Sequence, residues 1–223
     1  MKECGVTAMD WSYRDRKHAG EVLSGLLSGH ASMDIAVVLA IPNGGVAVAA
    51  PIAQALHAAL DFIIVRKLQI PYNPEAGFGA LSSLGTIVLN EPLVRQLRLT
   101  QDDIEIAKAK TEKQIADRKK AYAGLVGHYD LSGKHVLLVD DGLASGFTML
   151  AAIESIRVSK PSTIRVAVPT SSEGAARTVR AAIDQLICPR IERGQMFAVA
   201  DAYEDWYDVP DSEVIDILKH SRQ

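Results

Sequence analysis

The sequence predicts an α/β fold in which helices flank a parallel sheet of about five strands. Apolar runs without polar alternation recur along the chain, as expected for strands that are buried on both faces of such a sheet. A loop of glycine or other small residues follows two of these runs, and each loop leads into a segment with helical spacing of its apolar residues. The five predicted strands are residues 35–41, 62–65, 135–139, 163–168 and 184–188.

Length, charge and cysteine content narrow the class of protein. The 223 residues are enough for one substantial domain, and we predict a single domain over residues 1–223. A formal net charge of −3 gives no reason to expect DNA or a membrane as a partner. The sequence contains neither a signal peptide nor a stretch of ~20 apolar residues that could span a membrane. Because the two cysteines, Cys4 and Cys188, form no spacing motif, we expect a reducing, cytoplasmic environment.

The first helix is predicted over residues 10–27, after a loose leader of residues 1–10. Three leucines mark its apolar face: Leu23, Leu26 and Leu27. Four consecutive charged residues, 14–17, crowd the first turns of this helix and include Arg16. We interpret these charges as a solvated surface.

A glycine loop ends the first predicted strand. Pro42, Asn43, Gly44 and Gly45 follow that strand, and residues 46–60 are then predicted to form an Ala-rich helix. Many α/β proteins contain a strand, a glycine loop and a helix in this order, so the pattern alone indicates no particular ligand. Its position is still informative, because ligands in open α/β sheets bind beyond the carboxyl ends of the strands.

Two cations, Arg66 and Lys67, directly follow the second predicted strand. Two positive charges at the carboxyl end of a buried strand are costly unless an anion binds there. The alternative is that both side chains extend along the surface into solvent. We favour the anion site.

Residues 68–90 contain short β segments joined by glycine and serine, which predicts a hairpin or flap with Glu75 as a candidate site residue. A long, highly charged helix then follows Thr100, whose side chain can form a capping box with Asp103. The apolar stripe of this helix is too narrow for full burial. We therefore predict a solvated helix, with a contact surface for a second subunit as the alternative.

The most informative stretch is residues 135–149, where an apolar strand ends in two carboxylates, Asp140 and Asp141. A loop of small residues follows and leads into a helix that begins near Thr148. A helix N-terminus offers free N–H groups and a positive dipole end to a phosphate, and small residues let the backbone approach it closely. Carboxylates bind sugar hydroxyls or Mg²⁺. The stretch therefore predicts a sugar-phosphate site.

Two other loop types are excluded at this stretch. No Gly-Lys-Ser/Thr follows, so the loop is not a Walker A loop. Ala144 stands where a nucleophile elbow requires serine, so a serine hydrolase of that type is excluded as well.

The apolar run, the acidic pair, the small-residue loop and Gly146-Phe147-Thr148 together resemble the PRPP-binding motif of the type I phosphoribosyltransferases (PRPP is 5-phosphoribosyl 1-pyrophosphate). The resemblance extends over nearly the whole chain, and residues 73–75 with the glycine and alanine that follow are most similar to the branch of uncharacterised predicted phosphoribosyltransferases. The fold that the resemblance implies has a β flap over residues 68–90. It also has a small hood with a C-terminal helix over residues 190–223.

The resemblance also implies a role for each candidate site residue. The pyrophosphate of PRPP would be bound by Asn43, Gly44 and Gly45. Arg66 or Lys67 would stabilise its growing negative charge. The 5-phosphate would be bound by Ala144, Ser145, Gly146, Phe147 and Thr148. Asp140 and Asp141 would bind the ribose hydroxyls and Mg²⁺.

Aromatic residues are concentrated in residues 197–207. The superfamily that the chain resembles builds its hood over the acceptor base in this region, and aromatic faces suit a planar heterocycle. The same residues could instead pack a C-terminal helix against the sheet. Both interpretations remain open.

The function that the resemblance implies is Mg²⁺-dependent transfer of the 5-phosphoribosyl group from PRPP to a nitrogen acceptor, such as a nucleobase or a related heterocycle, in a homo-oligomer, expected to be a dimer. In the superfamily that the chain resembles, enzymes for 6-oxopurines usually carry an acidic residue at the position of Ala144. Hypoxanthine and guanine are therefore not expected as efficient acceptors. Candidates for proton transfer are Glu75, Glu204 and Asp205. Two alternatives are a PRPP-binding regulatory protein without transferase activity and a phosphohydrolase with Asp140 as the nucleophile.

Overall fold

The computed structural model describes residues 12–28, 34–125, 130–194 and 197–221, apart from the side chains of Pro74 and Glu75. The predicted leader of residues 1–10 lies outside the described residues. The strands are β1 (Val37–Ala40), β2 (Ala59–Phe62), β3 (Val65–Ile70), β4 (Asn73–Ser82), β5 (Ile87–Leu89), β6 (His135–Val139), β7 (Thr163–Ala167), β8 (Thr170–Ser172), β9 (Gln185–Ile187) and β10 (Arg190–Glu192). The helices are α1 (Arg16–Ser28), α2 (Gly44–Leu56), α3 (Glu91–Gln96), α4 (Gln101–Ala121), α5 (Phe147–Arg157), α6 (Glu173–Arg180) and α7 (Asp211–His220).

The central sheet contains five parallel strands in the order β2-β1-β6-β7-β9, with helices on both faces, which confirms the predicted fold class. All four residues of β1 are buried, and so are the last four of β6, as the unbroken apolar runs require. Strands β1 and β6 are neighbours, and Ala40 pairs with Val139 at their carboxyl ends. The loops that follow these two strands therefore meet at one edge of the sheet.

The second strand lies earlier in the chain than the sequence suggested. Helix α2 ends at Leu56, not at residue 60, because His57 adopts a left-handed conformation (φ 52°) and its N–H bonds to the carbonyls of Ala53 and Gln54. Ala59 then pairs with Val37, which starts β2. No glycine or proline between residues 57 and 65 marks the end of the helix and the start of the strand. The position of β2 is determined by its pairing with β1.

Arg66 and Lys67 do not end a strand of the parallel sheet, which corrects their predicted placement. Both lie inside β3, the first strand of a separate antiparallel sheet with the order β3-β4-β5. In β3 they pair with Leu81 and Ala80. Because successive side chains of a strand point to opposite faces, the two cations point in different directions.

Each face of the central sheet packs against its own set of helices. On one face, Leu23 and Leu27 of α1 belong to the same buried cluster as Val48 and Ile52 of α2. On the other face, the cluster joins α5 to β6 and β7 through side chains that include Met149, Ile153, Ile156, Val136, Leu138 and Val166. Helix α7 adds Val214 and Leu218 to the first cluster. No helix among the described residues is long and apolar enough to span a membrane.

The long helix α4 begins as the sequence indicates. Thr100 and Asp103 form both hydrogen bonds of the capping box: the Asp103 N–H donates to Thr100 Oγ1 (3.2 Å), and the Thr100 N–H donates to Asp103 Oδ2 (2.8 Å). The three residues of this helix that are buried are Ala107, Thr111 and Ile115. Most of its charged side chains are solvated, as predicted, but Arg118 is not.

Candidate functional site

The turn between β6 and α5 encloses a pocket of about 170 Å³ at the carboxyl edge of the central sheet. Residues 140–146 of the turn line it, together with Thr148 and Met149 of α5. Lys67 from β3 and Val199 from the C-terminal region complete the lining. Gly146 allows the turn to form because it adopts a left-handed conformation (φ 81°) directly before the helix.

The chemistry of this pocket suits an anion. The N-terminus of α5 contributes unpaired N–H groups and a partial positive charge, and Lys67 contributes a full one. The hydroxyls of Ser145 and Thr148 have no hydrogen-bond partner among the described residues, so both are available to a ligand. The pocket can therefore bind a phosphate through backbone amides, hydroxyls and one cation.

The acidic pair lies at the side of this pocket, and its two carboxylates differ in their contacts. The Asp141 N–H donates to Asp140 Oδ1 at 2.9 Å. Burial, followed by the neighbouring charge of Asp141, raises the pKa of the Asp140 carboxyl above its usual range. The Asp141 carboxylate accepts a hydrogen bond from Arg16 Nε at 2.8 Å, whereas no ion pair to Asp140 is present among the described residues. Asp140 is thus the carboxylate that is left for a bound cation or for sugar hydroxyls.

Arg16 was missed by the sequence analysis, which assigned it to a solvated surface. Arg16 is only 4% exposed, and its Nη1 donates a hydrogen bond to the Tyr207 carbonyl oxygen at 2.8 Å. Its guanidinium carbon lies 3.9 Å from the ring centroid of Trp206. A signal was present in the sequence, because Arg16 shares a helical face with Leu23 and Leu27, at intervals of seven and eleven residues.

The loop between β1 and α2 lies directly against the acidic turn. A Cβ atom on Gly44 would be 1.9 Å from Asp141 Oδ2, and one on Gly45 would be 2.9 Å from the Val139 carbonyl oxygen. Both glycines are therefore needed for this close approach. The peptide bond between Pro42 and Asn43 is cis.

The Asn43 side chain is held by other parts of the protein. Its Nδ2 donates to the Val209 carbonyl at 2.7 Å and to Asp211 Oδ1 at 3.0 Å, and its Oδ1 accepts from Arg118 Nη1. Arg118 also forms an ion pair with Asp211 at 2.7 Å, and the Tyr122 hydroxyl lies 2.9 Å from the same oxygen. These contacts hold the Asn43 side chain, so the backbone is the part of this loop that can contact a ligand. Arg118 and Tyr122 carry no sequence signal that separates them from the solvated residues of α4.

Arg66 lies near this group of residues. It is partly buried, and it has no hydrogen bond or ion pair among the described residues. Burial lowers the pKa of its guanidinium, and the neighbouring charge of Arg118 lowers it further. Two guanidinium groups beside one carboxylate, Asp211, favour the approach of an anion to this side of the loop.

Of the three candidates for proton transfer, Glu204 and Asp205 are not brought into the pocket. The Glu75 side chain lies outside the described part of the structure. Glu204 and Asp205 are exposed and do not line the pocket, and Glu204 accepts a hydrogen bond from the Ser12 hydroxyl at 2.7 Å. Two aromatic residues of the C-terminal region have partners within the chain: Tyr203 packs on Tyr13, and Trp206 stacks on Arg16.

Comparisons with known proteins show the family to which the chain belongs. The model of the phosphoribosyl transferase domain family matches residues 16–203. Two predicted phosphoribosyl transferases of Mycobacterium tuberculosis, from strains CDC 1551 and H37Rv, are each 31% identical to this chain over 211 residues. The match covers 95% of this chain and 47% of each relative, so the chain spans about half the length of these curated relatives.

Solved structures extend the similarity. The crystal structure of TT1426 from Thermus thermophilus has a TM-score of 0.76 and 32% sequence identity, and the match covers 94% of this chain and 98% of that one. A Neisseria gonorrhoeae protein solved with bound ppGpp has a TM-score of 0.50 and 15% identity, with 95% and 97% coverage, which concerns the fold alone. The family model matches most of the chain, and the chain shares the fold of the Thermus thermophilus structure. The chain therefore belongs to the phosphoribosyl transferase family.

Proposed function

We propose that the chain transfers the 5-phosphoribosyl group of PRPP to a nitrogen acceptor and releases pyrophosphate. The observation that carries the proposal is that one acidic pair contacts two loops that could each bind an anion. The β6–α5 loop forms a pocket with the acidic pair and Lys67. The β1–α2 loop packs against the same pair and has Arg118 and Arg66 near it. PRPP has the matching order of groups: a phosphate, a ribose with two hydroxyls, and a pyrophosphate.

The 5-phosphate would occupy the pocket after β6. The backbone amides of residues 144–148 and the hydroxyls of Ser145 and Thr148 would bind it, with Lys67 as the cation in the lining. Fixing the phosphate in this way holds the ribose C1 in place for attack.

The pyrophosphate would lie along the β1–α2 loop. The backbone amides of Gly44 and Gly45, at the N-terminus of α2, would donate to it, and Arg66 would balance its charge. Asn43 would contribute by fixing the loop, because its side-chain amide is already hydrogen-bonded inside the protein.

Asp140 and Asp141 fit a Mg²⁺ that takes most of its ligands from the bound substrate. No cluster of three or more metal-binding side chains occurs in the described ranges, so these side chains would not hold a metal without substrate or water. Mg²⁺ is commonly bound by one or two carboxylates together with substrate oxygens, and Asp140 without an ion pair suits this role. When bound, the ion would neutralise charge on the leaving pyrophosphate.

In the reaction, the bond between C1 and the pyrophosphate oxygen breaks, and the electron pair leaves with the oxygen. C1 then carries positive charge, which the nearby carboxylates stabilise, while the loop amides and Arg66 stabilise the leaving group. The acceptor nitrogen forms the new bond to C1, and a nitrogen that carries a proton releases it to a base or to water. We propose that the working form is a homodimer.

The test measures ligand binding and product release separately. PRPP with Mg²⁺ is expected to bind in calorimetry and to raise the melting temperature, since a ligand that binds the folded state stabilises it. Asp140→Asn is expected to abolish this binding while the protein stays folded, and Lys113→Ala, an exposed charge on α4, is the control. No binding at millimolar PRPP would contradict the proposal.

Turnover is then followed as pyrophosphate release with a panel of nitrogen heterocycles. Release that depends on both PRPP and an acceptor supports the transferase. Binding without release for every acceptor favours the regulatory alternative. Release of inorganic phosphate from sugar phosphates without any acceptor favours the phosphohydrolase.

A further inference from the structure

Arg16 is a buried cation at the first residue of α1, and its guanidinium group has partners at two nitrogens and over its plane. Nε is 2.8 Å from Asp141 Oδ2, and Nη1 is 2.8 Å from the Tyr207 carbonyl oxygen. The ring of Trp206 covers the plane at 3.9 Å. An arginine on a helix surface normally extends into water, so its enclosure here requires the paired carboxylate.

The ion pair also contacts the β1–α2 loop, to which the proposed function assigns the pyrophosphate and which is called the pyrophosphate loop below. A Cβ atom on Gly44 would be 1.9 Å from Asp141 Oδ2 and 2.7 Å from Arg16 Nε, so the Gly44 backbone lies directly on the two paired side chains. The Tyr203 hydroxyl donates to the Asp141 carbonyl oxygen at 2.6 Å and supports the turn from the other side. Displacement of the Arg16 side chain would therefore leave both Asp141 and the loop without their support.

We propose that Arg16 is a positioning residue for PRPP binding. It holds the Asp141 carboxylate against the Gly44 backbone and so keeps the acidic pair and the pyrophosphate loop in the arrangement that binds PRPP. This role rests on the proposed function, and it is exerted through Asp141 rather than by contact with the ligand. In this proposal the C-terminal aromatic segment holds Arg16 in place, because Trp206 and Tyr207 enclose its side chain.

The experiment compares Arg16→Met and Arg16→Lys with Lys17→Met, which removes a neighbouring exposed charge from the same helix. The dissociation constant of Mg²⁺-PRPP is measured by calorimetry well below the melting temperature of each variant. Arg16→Met is expected to weaken binding about tenfold or more, the usual size of a coupling between residues in contact. Arg16→Lys restores part of the affinity, since it keeps the charge but not the planar group. Lys17→Met matches the wild type.

A double-mutant cycle with Asp141→Asn separates positioning from a general loss of structure. In the Asp141→Asn background the ion pair is already broken, so adding Arg16→Met is expected to change the PRPP affinity little. It should also lower the melting temperature of the free protein less than it does in the wild type, because Arg16 then has no carboxylate to pair with. An equal loss of affinity in both backgrounds, or wild-type affinity in folded Arg16→Met, would overturn the proposal.

The two proposals fail in different ways. A wild type that does not bind Mg²⁺-PRPP overturns the proposed function and this binding role together, while the ligand-free melting temperatures still show whether the ion pair exists. A wild type that binds PRPP without any coupling between positions 16 and 141 overturns the role of Arg16 alone. If Arg16→Met does not fold, Arg16→Lys and the double variant carry the same comparison.

Discussion

Ala144 lines the pocket between β6 and α5, which is the proposed 5-phosphate site. Its methyl group can neither give nor take a proton, and the neighbouring Ser145 hydroxyl is directed to phosphate in the proposed function. We predict that hypoxanthine and guanine are poor acceptors. The measurement is a parallel assay of purine and pyrimidine bases with PRPP and Mg²⁺, with adenine and orotate for comparison. Rapid formation of inosine or guanosine monophosphate would show this prediction to be wrong.

Cys188 illustrates how burial controls the chemistry of one residue. Burial raises the pKa of its thiol to about 12, and its Sγ lies 3.2 Å from the Arg190 carbonyl oxygen. A higher pKa means less thiolate, so at about pH 8 the folded protein should react with a maleimide far more slowly than an exposed cysteine does. The Cys4→Ser variant isolates this thiol, and denaturant is expected to restore its reactivity. Fast labelling of the native variant would contradict the assignment.

At the scale of single elements, the alternation of β3 separates two adjacent cations. Lys67 points to the phosphate pocket, whereas Arg66 points to the group around Arg118 and Asp211. We predict that Arg66→Ala reduces kcat by about 10²-fold, as the loss of a group that stabilises the leaving charge does. Lys67→Ala, which removes the cation from the proposed 5-phosphate site, is expected to reduce kcat/KM by about 10²-fold. Neither should lower the free energy of unfolding by more than about 1 kcal/mol, because Lys67 is exposed and Arg66 has a like charge beside it.

Kinetics and denaturant unfolding of the same variants measure both effects, with Lys113→Ala as the matched exposed control. Full activity of both variants with a competent acceptor would mean that another part of the chain or a second subunit supplies the cation.

Two helices show the limit of periodicity as a signal. In α1 and in α4 most charged residues are solvated, yet each helix turns one arginine inward, Arg16 or Arg118. Each arginine forms an ion pair with a carboxylate more than 90 residues away in the chain: Arg16 with Asp141, and Arg118 with Asp211. A composition-based analysis counts such residues as surface, because their partners are known only once the chain is folded.

At the scale of the whole molecule, we predict a homodimer. Light scattering of the purified protein should give twice the chain mass of 24.0 kDa. The outer side of α4 exposes Ile106 at 69%, and Leu97 at the end of α3 is 39% exposed, which makes this region the candidate contact. Ile106→Glu is expected to shift the mass towards the monomer, with Lys113→Ala as control. A wild-type mass of 24.0 kDa would contradict the prediction.

The sequence alone determined the parallel α/β sheet and the turn after residue 139. Buried parallel strands require unbroken apolar runs, and the acidic pair with its small-residue loop is local in the chain. Only the tertiary structure decided that β3 belongs to a second sheet and that Asp140 and Asp141 have different partners. It also decided which side chains hold the two loops, namely Arg16, Asn43 and Arg118. Each of these depends on contacts between residues distant in the chain. Apart from the helical spacing of Arg16 with Leu23 and Leu27, they leave no periodic or compositional mark in the sequence.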